Sequence, residues 1–254
     1  MNCRFKKPYA NVRLFCFPGA GAGTSFYTQW GRELSDDIEV HAVCLPGREN
    51  RSNEPFCSTR NETVDSIVKS LQDGLLDKPF AFFGHSMGAI LCFWVALELK
   101  KRHNKEPVHM FLSSAMPPHA AGFKNIMCMT MSDDEFLKHA SNNFVGSLPK
   151  EITQNQDMMD VFLPIWRSDL ILLRNLSYEH ETDETPLLSC LFDLFCGREE
   201  DLDVVNHLDE WNELTRGTVS KNFMPGGHFF LNDKANGKKV ISFIEMKLED
   251  EDVN

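Results

Sequence analysis

Four apolar residues, Phe80 to Phe83, run straight into Gly84-His85-Ser86-Met87-Gly88, and Ala89 to Leu99 continues in mostly apolar residues. Few folds accommodate that order. The short run ahead of the glycine reads as a buried strand, and the stretch after it is long enough for a helix. No residues remain for a loop, so the chain must turn sharply from strand to helix with Ser86 at the apex. Glycine suits positions 84 and 88, because a side chain at either would crowd the neighbouring strand or helix. A serine held at such a turn projects its hydroxyl into a pocket, near the positive end of a helix that favours a developing oxyanion.

The same alternation continues along the chain. Val12 to Phe17, Ile38 to Leu45, Val108 to Leu112, Leu191 to Cys196 and Thr218 to Phe223 are further strand candidates. Val64, Ile67, Val68, Leu71 and Leu75 keep helical spacing, as do Val240, Ile241, Phe243, Ile244 and Leu248 near the end. Short apolar strands separated by helices predict an α/β fold, with a mostly parallel central sheet flanked by helices. One stretch breaks the rhythm. From about 124 to 185 no convincing strand occurs. Met127, Met129, Met131, Phe136, Leu137 and Phe144 are followed instead by Met158, Met159, Val161, Phe162, Ile165 and Trp166. An insertion so rich in adaptable side chains is expected to form a helical lid over an apolar pocket, with most of these residues packing it onto the body. The whole, residues 1–254, is expected to be a single domain.

Composition narrows the function. With 254 residues, 42% of them apolar and 20 of them phenylalanine, the chain can bury one substantial core. A net charge of −11 argues against nucleic acid or an anionic membrane surface as partner. No apolar run approaches the roughly 20 residues of a membrane span. Met1 to Pro8 carries charge with no apolar core behind it, so no secretory leader is expected. The eight cysteines lack paired spacing; Cys16, Cys44, Cys92 and Cys196 sit in apolar stretches, where a reduced thiol packs as a small hydrophobe. A cytoplasmic protein is the natural expectation. Neither C-x-x-C nor H-E-x-x-H occurs, so no metal is expected.

A serine hydroxyl is a poor nucleophile until a base takes its proton. Among nine histidines, His228 stands out, in the loop Met224-Pro225-Gly226-Gly227-His228-Phe229-Phe230 after the last strand candidate. His85 adjoins Ser86 but is expected to point away from it. His41, His103, His109, His119, His139, His180 and His207 lack comparable context and read as surface or structural. The order nucleophile, acid, base is that of an α/β-hydrolase, and it places the acid between Ser86 and His228 at a strand end. There Gly197-Arg198 leads into Glu199, Glu200 and Asp201, three carboxylates side by side. Any of them could fix the imidazole tautomer and stabilise the imidazolium. Asp193 lies inside the strand and Asp203 too far along. The glycine-rich run Phe15 to Gly23 lacks the spacing of a phosphate cradle. It suits a backbone N–H donor toward the serine, with the Met87 N–H as second donor.

Together with Leu45-Pro46-Gly47-Arg48-Glu49, Trp211 and Pro225-Gly226-Gly227-His228-Phe229, these motifs resemble the type II thioesterases from about Tyr9 to Leu248. Within that family the resemblance is to the vertebrate medium-chain thioesterases of fatty acid synthase. It implies Ser86 as nucleophile, His228 as base, and the Ala20 and Met87 amides as oxyanion donors. Family spacing puts the acid three residues after Gly197, at Glu200, with Asp201 next; residue type alone favours Asp201. The implied reaction frees a medium-chain fatty acid from an acyl carrier domain, with no cofactor because the substrate brings its phosphopantetheine. A cytosolic monomer is expected.

The unsettled acid is one departure from the family pattern, and two more matter. Ala22 stands where a third glycine is usual, which strains the loop if that position needs a positive φ. Gly19 replaces a larger residue, which would open the pocket mouth. A basic patch for an acidic carrier domain would draw on Arg48, Arg51, Lys100, Lys101, Arg102 and Lys105. Three alternatives use the same framework: an editing thioesterase of a polyketide or peptide synthase, a carboxylester hydrolase, and a non-catalytic binding protein.

Overall fold

Continuous apolar runs become the middle of the sheet, because a strand covered on both faces needs apolar side chains pointing both ways. The computed structural model describes residues 1–125, 132, 135, 154–179 and 186–251. In chain order the elements are β1 (Val12–Phe17), α1 (Ser25–Thr28), α2 (Trp30–Glu33), β2 (Ile38–Ala42), α3 (Arg60–Gln72), β3 (Phe80–His85) and α4 (Met87–His103). Then come β4 (His109–Ser113), α5 (Gln156–Arg174), β5 (Leu191–Gly197), α6 (Leu202–Asn206), β6 (Val219–Met224) and α7 (Lys234–Glu251). Each strand expected from the sequence is present, within a few residues of its expected ends.

Among the described residues the strands form one sheet in the order β2-β1-β3-β4-β5-β6, with every pairing parallel. After β1 the chain places β2 on one side, then crosses back to lay β3 on the other. The carboxyl ends of β1 and β3 therefore flank a topological switch point, where open α/β sheets leave a crevice for ligands. Alternate residues face opposite layers. Phe15, Phe82, Met110 and Leu194 pack with α3, α4 and α5, while Leu14, Phe83, Phe111 and Phe195 pack with Trp30 and α7. Between β4 and β5 the buried pair His109–Asp193 (2.8 Å) ties two strands together, so Asp193 serves the sheet.

The link from β3 to α4 is as tight as its sequence demands. Ser86 takes φ 55° and ψ −122°, a strained conformation for a residue with a side chain. Its N–H donates to the Ser113 carbonyl at 2.8 Å, which anchors the turn to β4. A methyl on Gly84 would fall on the Gly88 backbone, and one on Gly88 would fall on the Phe17 and Pro18 carbonyls. Glycine at both positions lets three backbone segments meet where the serine sits.

Part of the expected lid is described. Its Met127, Met129, Met131, Phe136, Leu137 and Phe144 lie outside the described residues. Gln156–Arg174 forms α5, N-capped by Asn155, whose side chain accepts from the Met158 N–H. Trp166, Leu170 and Leu173 recur at i, i+4 and i+7 and are buried on one face. Met158 and Val161 face solvent.

Candidate active site

Neighbouring strand ends bring the expected side chains together. Ser86 stands just beyond β3, and His228 lies in the loop that follows β6. β5 and β6 pair to their last residues, Gly197 opposite Met224. Beyond them the two loops stay joined, Arg198 N–H to Met224 O at 2.8 Å and Glu199 N–H to Gly226 O at 3.0 Å. That pairing sets Glu200 beside His228. The His228 Nδ1 to Glu200 Oε1 distance is 2.9 Å, and His228 Nε2 lies 3.1 Å from Ser86 Oγ. A carboxylate only accepts hydrogen bonds, so Nδ1 carries the proton and Nε2 is left to accept from the serine hydroxyl.

Of the three adjacent carboxylates, the structure brings Glu200 to the histidine and not Asp201, against the preference drawn from residue type. Asp201 is the N-cap of α6, and its side chain accepts from the Asp203 N–H at 2.8 Å. Glu199 is exposed. Burial alone would raise the Glu200 carboxyl, but the His228 imidazole and the Ser114 hydroxyl hold it below its ordinary value. It is therefore ionised wherever the imidazole needs a partner.

His85 does not simply point away, as the sequence suggested. Its Nδ1 meets Ser113 Oγ at 3.0 Å, and its ring lies 5.2 Å from that of His228. Burial, aided by the nearby His228, pushes its pKa down to about 3, so the ring is neutral. His41 bonds Glu39 at 2.7 Å, and His103 meets the Gln72 amide. His119 pairs with Glu213, and His207 meets the Asp203 carbonyl, both structural contacts. His139 and His180 lie outside the described residues.

The loop after β1 closes the other side. Gly19 and Ala20 line the cavity beside Ser86, and a methyl on Gly19 would sit 3.5 Å from Ser86 Cβ. Glycine there leaves room above the nucleophile. Ala22 is not among the positive-φ residues, so the strain considered for it does not arise; Gly21, at φ 77°, takes that conformation. Met87 begins α4 directly after Ser86. The cavity has a volume of about 170 Å³, and Trp166, Leu170, Leu173, Phe229 and Leu231 make most of its wall apolar.

Such a cavity suits an aliphatic chain ending at a serine. The profile of the thioesterase domain family matches residues 12–248. The chain belongs to the thioesterase domain family. It is 38% identical over 248 residues to the human medium-chain S-acyl fatty acid synthase thioesterase, covering 98% of this chain and 91% of that protein. It is 33% identical to the gramicidin S biosynthesis protein GrsT of Aneurinibacillus migulanus, covering 87% and 84%. The solved RedJ thioesterase from the prodiginine pathway of Streptomyces coelicolor superposes with a TM-score of 0.83 at 28% identity, covering 95% and 92%. The fold is accordingly that of the α/β-hydrolases, and the family chemistry is hydrolysis of acyl thioesters.

One other expectation changes within this thioesterase frame. Most of the cations offered for a basic patch are already engaged. Arg48 is buried against Asp169, Arg51 and Lys100 pair with Glu54 and Glu106, and Arg102 pairs with Asp65 and Glu98. Lys105 donates to the Leu76 carbonyl. Within the family motif, Leu45, Pro46 and Arg48 are thus buried. The ligand atoms of Cys3, Glu39 and His41 lie within 4.8 Å of one another on the β2 edge of the sheet. Glu39 there is already held by His41, Arg13 and the Lys7 N–H, which leaves a cation little to displace them with. No helix among the described residues is long and apolar enough to cross a membrane.

Proposed function

We propose that this thioesterase releases a medium-chain fatty acid from the phosphopantetheine thioester of an acyl carrier domain, in the cytosol and alongside a fatty acid synthase. One observation carries the reading: Ser86, His228 and Glu200, linked at 3.1 and 2.9 Å, open onto a narrow apolar cavity. Similarity to the human medium-chain protein supports the acyl class.

The chemistry follows from the groups present. His228 Nε2 takes the Ser86 proton as Oγ attacks the thioester carbonyl, while Glu200 stabilises the imidazolium. The Ala20 and Met87 amides donate to the oxyanion, helped by the N-terminus of α4. Collapse breaks the C–S bond and the thiol leaves with a proton, giving an acyl-serine. Water activated by His228 then frees the acid. The insertion containing α5 acts as the lid, with Trp166, Leu170 and Leu173 against the alkyl chain.

Similarity to GrsT favours a second reading, an editing thioesterase that clears short acyl groups from a synthase. Hydrolysis of an acyl-CoA series, followed by thiol release, separates the two. We expect kcat/KM to peak at medium chains and to fall by at least about 10⁴-fold in Ser86→Ala, with an unchanged circular dichroism spectrum. A peak at acetyl or propionyl groups selects the editing role. Oxygen esters cleaved in preference to thioesters make the chain a carboxylester hydrolase, and turnover retained in Ser86→Ala removes the mechanism altogether.

A further inference from the structure

Arg48 and Asp169 form a buried ion pair, their side chains 5% and 2% exposed. The contact is bidentate: Nη1 to Oδ2 at 2.6 Å and Nη2 to Oδ1 at 2.5 Å. A buried pair is a poor way to add stability, because desolvating two charges offsets most of their attraction. It is a good way to fix two surfaces in one register, and here both surfaces reach the active site.

Asp169 sits on α5, three residues after Trp166 and one before Leu170, which line the acyl side of the cavity. Its Oδ2 also accepts the Gly21 N–H at 2.7 Å, and Arg48 Nη1 donates to the Ala22 carbonyl at 3.2 Å. The pair therefore grips the loop after β1 at two successive residues. α5 also rests on that loop, since a methyl on Gly21 would lie 2.9 Å from the Phe162 ring and 3.2 Å from that of Trp166. From the other side Glu49 accepts the Thr24 N–H at 2.7 Å and its hydroxyl at 2.6 Å. Arg48 and Glu49, adjacent in the chain, hold the loop at two points.

The Gly21 N–H belongs to the peptide plane that Ala20 begins. Fixing that plane restricts ψ of Ala20, and with it the direction in which the Ala20 N–H can point. We propose that Asp169, held by Arg48, is a positioning residue that aims the Ala20 amide at the oxyanion site from the helix that forms the acyl wall. This rests on the oxyanion role given above to Ala20. The acyl wall and the oxyanion loop then form one unit, set by a single carboxylate.

An alkyl trifluoromethyl ketone tests this without requiring turnover. Ser86 Oγ adds to its carbonyl carbon, the serine proton passes to His228, and the resulting oxyanion reads the donors directly. Decanol, which carries no negative oxygen, reads the acyl wall instead. Asp169→Ala is expected to lower kcat for decanoyl-CoA by about 100-fold and ketone affinity by a similar factor, the range for a lost oxyanion donor. KM for decanoyl-CoA and the affinity for decanol should stay within about threefold (an interaction made only in the transition state leaves ground-state binding alone). Asp169→Asn, of the same shape and still able to accept from Gly21, should lose about 10-fold in kcat and serves if the alanine variant does not fold. Arg48→Lys, which keeps the charge but not the fork, should fall between wild type and Asp169→Asn. Equal losses toward ketone and decanol, or none toward either, overturn the proposal. A wild-type chain that binds the ketone but cleaves no thioester overturns the proposed function instead, and the ketone series still decides the role of Asp169.

Discussion

The two walls of the cavity are built by different means. One is made by strand ends, where Gly84, Gly88 and Gly197 let backbone approach backbone so closely that a single methyl would collide. The hydrogen-bonded line from Ser86 to Glu200 stands on that wall. The other is made by α5, where Trp166, Leu170 and Leu173 present aliphatic and aromatic surface at helical spacing. Proton transfer needs atoms placed to within a few tenths of an ångström, which rigid strand ends provide. Holding an alkyl chain needs only apolar area of suitable shape. The contrast predicts that changes in the first wall should reduce turnover for every substrate, whereas changes in the apolar side chains of the second, Asp169 apart, should sort substrates by length.

The sharpest way to break that contrast is at the acid. Glu200→Gln keeps the shape but no longer favours an imidazolium, so kcat should fall by about 10³-fold or more. The loss should be the same for short and long acyl chains. Asp201→Asn, which alters only a helix cap, should change kcat by no more than about twofold. Parallel kinetics on butyryl-CoA and decanoyl-CoA decide between them. A large loss in Asp201→Asn with little in Glu200→Gln would transfer the role to the aspartate.

That pair of residues also marks where the sequence was hard to read. Asp201-Leu202-Asp203 opens a short helix, and an aspartate just ahead of a helix is a strong N-cap. The cap explains why an aspartate stands there without giving it any chemistry. Glu200 was visible only through its spacing from Gly197. The six strands, the elbow and His228 were legible because each follows from local constraint: continuous apolar runs, glycines at a strand–helix turn, and a glycine loop after the last strand. Arg48 was misread as a surface cation because its partner, Asp169, lies 121 residues away. No local pattern announces a contact so distant in sequence. His85 was half legible, since its place at the elbow is local but its contact with Ser113 depends on the β3–β4 register.

The helical wall should answer differently. Leu173→Ala removes buried aliphatic surface worth about 2 kcal/mol to an alkyl chain that reaches it. The expected result is a fall of about 10- to 30-fold in kcat/KM for decanoyl-CoA, with butyryl-CoA nearly unaffected. An equal fall for both would mean that Leu173, like Asp169, supports the chemistry, and the distinction between the walls would have to be given up.

The smallest effect belongs to His85, which lies under the first wall and should affect stability through pH. In the unfolded chain its imidazole takes up a proton below its ordinary value of 6.5, whereas in the folded chain it stays neutral until about 3. The unfolded state therefore binds more protons across that window, and stability falls as the pH drops through it, by up to about 1.4 kcal/mol per unit. Glu200 acts in the same direction but only below its ordinary value of 4.5, because its folded pKa is held lower still. His41, which burial also holds low, contributes equally to wild type and variant and cancels. Urea unfolding at intervals between pH 6.5 and 5 should thus show a shallower loss of stability in His85→Asn than in wild type, the asparagine keeping a partner for Ser113. Identical slopes would mean that the His85 ring takes up its proton in the folded protein as easily as in the unfolded one. The floor beneath Ser86 would then be wet, and the dry backbone-packed wall would not extend as far as its geometry indicates.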